Sequence, residues 1–128
     1  MNHLTEGRGT EKTVVILRGP FAQARVEYVK KTFSDPETVV CQSLREFFDA
    51  LNNGKRLIVV DGENCFWSHV FPFARAAKSF CCPIRFVRIK PSIGTDDATH
   101  VILWERDQIE PVPCEWGKEE LVVIQPSS

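Results

Sequence analysis

Residues 13–26 read TVVILRGPFAQARV. The first five are apolar or β-branched and are closed by Arg18 and Gly19, the composition of a strand buried on both faces. The stretch AQARVEYVKKTF (22–33) then places Val26, Val29 and Phe33 at helical spacing, with Lys30 and Lys31 on the wet side. A buried strand that turns through glycine straight into a helix is the first half of a β-α-β unit.

The pattern repeats along the chain. TVVCQ (38–42) reads as a second strand, and SLREFFDALNNG follows with Ser43 as N-cap, Glu46 at the capping-box position and Asn52, Asn53 and Gly54 as the stop. RLIVVDG (56–62) is the clearest central strand, an unbroken apolar run with Asp61 at its C-terminal end. Residues 66–80, FWSHVFPFARAAKSF, predict a helix that begins near Pro72, because proline is tolerated only in the first turn. PIRFVRI (83–89) alternates Ile84, Phe86 and Arg88 against Arg85, Val87 and Ile89, as a strand does. ATHVILWE (98–105) and ELVVIQ (120–125) complete the set as candidate edge strands. The expected fold is a three-layer α/β domain over residues 13–126, with a mainly parallel sheet, helices on both faces and an antiparallel C-terminal edge as a variant. Residues 1–12 are polar and carry two glycines, the composition of a flexible tail.

Composition bounds the function. The chain has 128 residues, 43% of them hydrophobic, enough for the core of one ordinary domain. Sixteen basic and 17 acidic residues leave a net charge of -1, so no overall field draws it to nucleic acid or an anionic membrane. No apolar run is long enough to span a bilayer, and the opening MNHLTEGRGTEK has no apolar core of a leader peptide. Five cysteines form an odd set without a regular framework, which suits a reducing compartment. The expectation is an intracellular protein, cytoplasmic or nuclear, with no membrane partner.

In open parallel sheets ligands bind at the C-terminal strand ends, where Gly19 and Asp61 both fall. Laying the phosphate-loop spacing G-x-x-x-x-G-K-[ST] on Gly19 puts Ala24, Arg25 and Val26 where Gly, Lys and Ser/Thr belong. A strand ending L-R-G precedes it, and Gly54, Leu57 to Val60, Asp61 and Asn64 follow the spacing of an acidic strand end. As an ordered set over residues 13–91, these features resemble the P-loop kinases of the polynucleotide-kinase-like group. The resemblance implies a former nucleotide cleft at Gly19, Ala24, Arg25, Val26, Asp61 and Asn64. It also exposes departures. Pro20 offers no N–H, Phe21 fills loop space, Arg25 replaces a compact lysine charge with a planar fork, and Val26 cannot ligate Mg²⁺. Where the family carries a basic lid, KPSIGTDDATH holds Asp96 and Asp97. The expectation is a catalytically silent domain with no catalytic residue, no metal and no cofactor.

Such a domain is expected to serve as an interaction or scaffolding module for a protein partner or a second copy, with nucleic acid reached only indirectly, in an RNA-pathway complex that the resemblance suggests. Phe21, Phe66 and Trp67 come from two strand-end loops and are the expected partner-binding patch; the plainer reading is that they plug the empty cleft. Phe71, Trp104 and Trp116 are further large rings, and Arg18 and Arg25 are candidates for an internal salt bridge to Asp61. A different class remains open. VVDGEN is similar to the opening of NYN/PIN-type ribonucleases, in which Asp61 with Asp96, Asp97 and Asp107 would gather Mg²⁺, although the acidic strand opens that family's domain and stands third here. Cys65 and His69 with Cys81, Cys82 or Cys114 lack the paired spacing of a zinc site, and Arg75, Lys78, Arg85, Arg88 and Lys90 read as a solvated basic face.

Overall fold

The computed structural model describes residues 12–91 and 109–124. Five strands, β1 (Thr13–Arg18), β2 (Thr38–Cys41), β3 (Leu57–Val60), β4 (Ile84–Pro91) and β5 (Glu119–Ile124), form one sheet in the order β2-β3-β1-β4-β5. Every neighbouring pair is parallel, so β5 is a parallel edge and not the antiparallel one the sequence left open. The stretch 98–105, expected as a further strand, lies outside the described residues.

Among the described residues three helices cover the sheet: α1 (Ala22–Thr32), α2 (Leu44–Asn52) and α3 (Trp67–Ser79). One core joins Val14, Ile16, Ile58, Val60 and Phe86 of the strands to Phe47 and Leu51 of α2 and Val70, Ala74 and Ala77 of α3. The other joins Val15, Leu17, Val59, Val87, Ile89 and Ile124 to Ala24 and Tyr28 of α1. Alternate residues of each strand feed opposite cores, which makes the domain a three-layer α/β sandwich with the sheet in the middle. A short 3₁₀ turn, Cys114–Trp116, leads into β5 on the α2/α3 side, where Trp116 packs against the first core.

Local signals explain most of the boundaries. The Ser43 hydroxyl accepts the Glu46 N–H at 3.2 Å, while the Glu46 carboxylate accepts the Gln42 N–H at 2.7 Å. At the other end Gly54 takes φ +71°, and its N–H and that of Lys55 return to Leu51 and Ala50, closing a Schellman turn. The same turn closes α3 with Cys81 in the left-handed position at φ +59°, without a glycine.

Two expectations fail. α3 begins at Trp67, five residues before Pro72, and carries the proline inside it. Proline costs one backbone bond there, and the aromatic and alanine contacts of the helix with the core outweigh it. Val26 does not face the core: it is exposed, and the buried face of α1 is made by Ala24, Arg25 and Tyr28. Val29 and Phe33 do pack against that core as expected, and Val26 alone is displaced, because Ala24, Arg25 and Tyr28 fill the inner face beside them.

Candidate functional site

The C-terminal ends of β1 and β3 lie side by side, so the loops after Arg18 and Val60 meet over one edge of the sheet. Only Gly19, Pro20 and Phe21 separate β1 from α1. Gly19 donates its N–H to the Glu63 carbonyl at 2.8 Å and accepts from the Arg25 guanidinium. It stands at φ +138°, and a Cβ there would come within 2.4 Å of the Ile89 carbonyl oxygen. Glycine is required for that close approach of loop to strand.

Arg25 projects from the first turns of α1 back toward the sheet. Its Nε–H donates to Asp61 at 2.7 Å, and the Gln42 amide reaches the other Asp61 oxygen at 3.4 Å. Both side chains of the pair are about nine-tenths buried. A charge-assisted bond so shielded is far stronger than a surface pair, and it also satisfies a desolvated carboxylate that would otherwise be costly to bury. Of the residues at the expected cleft, Gly19, Arg25 and Asp61 are therefore joined directly. Ala24 is packed in the α1-side core, and Val26 lies on the outer surface of the helix.

Asn64 works on the other side of the strand end. It adopts φ +45°, a conformation asparagine tolerates, and its amide donates to the Leu17 carbonyl at 2.8 Å. Its own carbonyl accepts Arg18 Nε–H at 2.8 Å. Arg18 does not meet Asp61. It is fully buried on the α3 side, where it binds Glu119 at 2.7 Å and the carbonyls of Cys65 and Glu110 at 3.2 and 2.6 Å. Arg88 shares Glu119 at 3.2 Å, so one carboxylate at the start of β5 gathers the last residue of β1 and its neighbour within β4. Glu119 and Glu110 were missed by sequence reasoning, since they lie 101 and 92 positions from Arg18 and no local pattern links them.

The three rings expected to form one patch are divided by the sheet. Phe21 packs against the α1-side core and Trp67 against the α2/α3-side core. Phe66, 42% exposed, stays with Trp67, and together with Ser68, Phe71 and Glu110 they line an open depression. Trp67 lies 5.6 Å from Trp116 and 5.7 Å from Phe86 between ring centroids, and Phe71 meets Trp116 edge-on at 6.1 Å. The Glu110 carboxylate accepts the Trp67 backbone N–H and so caps α3 from a distant loop. Lys78 sits over the Trp116 ring at 5.0 Å.

Asp96, Asp97, Asp107 and Trp104 lie outside the described residues. Among the described residues no group of three or more His, Cys, Asp and Glu side chains is placed to hold a metal ion. Cys65 bonds to the Glu63 carbonyl, and burial, reinforced by Glu63, pushes its thiol pKa up; the His69 ring instead packs edge-on against Phe66. Two of the five residues of the expected basic face are paired with carboxylates: Arg85 forms a two-point pair with Glu120 at 2.8 Å, and Arg88 has Glu119. No helix among the described residues is long and apolar enough to cross a membrane. No model of a known protein family matches the chain, and no curated protein matches it.

Proposed function

We propose that the domain is a catalytically silent relative of the polynucleotide-kinase-like P-loop kinases that works as a protein-interaction module inside the cell. The observation that carries this reading is the Arg25–Asp61 bond. At the position of the phosphate-binding lysine stands an arginine whose fork is spent on Asp61 and on the Gly19 carbonyl of its own loop. A nucleotide phosphate would have to break a buried ion pair to gain that cation.

Further geometry supports it. Three residues between strand and helix shorten the phosphate cradle at its start: Gly19 has given its own N–H to Glu63, and Pro20 has none, which leaves only the first-turn N–H groups of α1. Val26, at the position of the Mg²⁺-ligating hydroxyl, is an exposed hydrocarbon. Phosphoryl transfer depends almost wholly on positioning and charge stabilisation, so a shortened cradle, a committed cation and a missing metal ligand together leave no route to it.

The shelf of Phe66, Trp67, Phe71 and Trp116 supplies what such a module needs, large rings part-exposed around an open depression. Its partner in this reading is a protein, and any RNA is reached through the complex. A transfer assay with Mg²⁺-ATP and nucleoside or oligonucleotide acceptors tests the silent half, and the expected rate equals that of Asp61→Asn. Turnover that this substitution removes would refute it. Binding to a partner in the cell is expected to fall on Phe66→Asp with Phe71→Asp while the melting transition stays cooperative; retention of every partner by that folded variant would remove the shelf.

A further inference from the structure

We propose that the trough between α2 and α3 receives an acidic amphipathic helix of a partner protein. The inference deepens the interaction-module reading and rests on it. One wall of the trough is Leu44 and Phe48, four residues apart on α2. The other is Pro72, Ala76 and Phe80, again at intervals of four, along α3 and its C-cap. Rows at i, i+4 are the ridges by which helices interlock, so a channel with such a ridge on either side is shaped for the i, i+4 ridge of a third helix. The trough opens over about 340 Å³. The row from Pro72 to Phe80 makes the longer wall about 12 Å, a little over two turns of an incoming helix, and Leu44 and Phe48 face it over about one turn.

The apolar edges are held in water. Leu44, Phe48 and Phe80 are 38%, 40% and 40% exposed. Charge sets the partner's chemistry. Arg75 lies in the lining, no carboxylate does, and α3 from end to end carries no acidic residue. Lys12 adds a second positive charge nearby, its ammonium bonded to the Leu51 carbonyl and 5.8 Å from the centre of the Phe80 ring. An incoming helix with leucines along one face and glutamates beside them matches both the ridges and the cations, whereas a basic helix would bring like charge to Arg75.

The test uses the full chain and two fluorescein-labelled helical peptides that share a leucine face and differ only in flanking glutamates or lysines, read by fluorescence anisotropy. The acidic peptide is expected to bind at least about tenfold more tightly than its lysine twin. Arg75→Glu is expected to invert that preference, and Phe48→Asp to abolish binding while circular dichroism and melting are kept. The proposal is overturned if neither peptide binds at about 1 mM, if both bind alike, or if binding survives Phe48→Asp. It is equally overturned if sedimentation shows a dimer of this chain that Phe48→Asp dissolves, since the trough then belongs to a second copy. The kinase assay and nucleotide binding do not involve the trough, so failure here and failure of the silent-cleft reading are told apart.

Discussion

The Arg25 guanidinium and the Asp61 carboxylate lie 2.7 Å apart, 9% and 12% exposed, and close the strand-end cleft with the protein's own charges. Neither charge stands alone there, since the Gly19 carbonyl takes a second Arg25 bond and Gln42 approaches the second carboxylate oxygen.

Breaking one side of this pair leaves the other buried and unmatched. Asp61→Asn and Arg25→Met are each expected to cost about 3 kcal/mol in urea unfolding, and the double variant clearly less than the sum of the two. Strict additivity would mean that the pair is not coupled.

Arg18 is the more heavily bound of the two arginines. Its replacement by lysine keeps the charge and loses the fork that reaches Glu119 and three carbonyls at once. Arg18→Lys is expected to destabilise the fold by about 3 kcal/mol or more, and Glu119→Gln by less, because its amide oxygen still accepts. Equal melting temperatures for Arg18→Lys and the parent chain would contradict the buried network.

Two left-handed positions give opposite signs. Gly19→Ala drives a Cβ against the Ile89 carbonyl and is expected to cost at least about 2 kcal/mol. Cys81→Gly relieves an exposed cysteine at φ +59° in the turn after α3 and is expected to stabilise by about 0.5–1 kcal/mol. Both changes are readable as shifts in the urea midpoint.

The buried thiols make stability fall in alkali. Burial, helped by the Glu46 and Asp49 charges, pushes Cys41 from 9.0 up to about 11. The unfolded chain then releases its proton first, so the stabilisation is complete below pH 9.0 and is lost as pH rises to about 11. The loss is about 2–3 kcal/mol from this one group, and burial raises Cys65 and Cys82 in the same direction. Cys41→Ala is expected to flatten the stability profile between those two pH values; an unchanged slope would rule the thiol out as its source.

Much of the fold was legible because its signals are local. TVVIL, LIVV and IRFVRI declare buried strands by composition alone, and Ser43, Glu46 and Gly54 mark the ends of α2 by their own hydrogen bonds. What escaped depends on partners far away in sequence. Val26 was misplaced on α1, where Val29 and Phe33 were not, because Arg25 is buried by Asp61, 36 positions on, and the start of α3 was misplaced because Glu110 caps Trp67 from beyond β4. The site was legible as a place, Gly19 beside Asp61, and as the pairing of Arg25 with Asp61. Arg18 was legible only as a charge, since Glu119 is fixed by the pairing of β4 with β5. Phe21 and Trp67 share an end of the sheet but belong to opposite faces, a distinction that depends on which way each loop turns after its strand.

The most direct measurement is a calorimetric and thermal-shift titration of the full chain with Mg²⁺-ATP and Mg²⁺-GTP. No binding heat and no change in melting temperature are expected at millimolar nucleotide, because Arg25 is held by Asp61 and Gly19. Saturation with a rise of several degrees, which about 2.7 kcal/mol of ligand stabilisation at a hundredfold excess over Kd would give in a domain of this size, would contradict it and make the cleft a working nucleotide site.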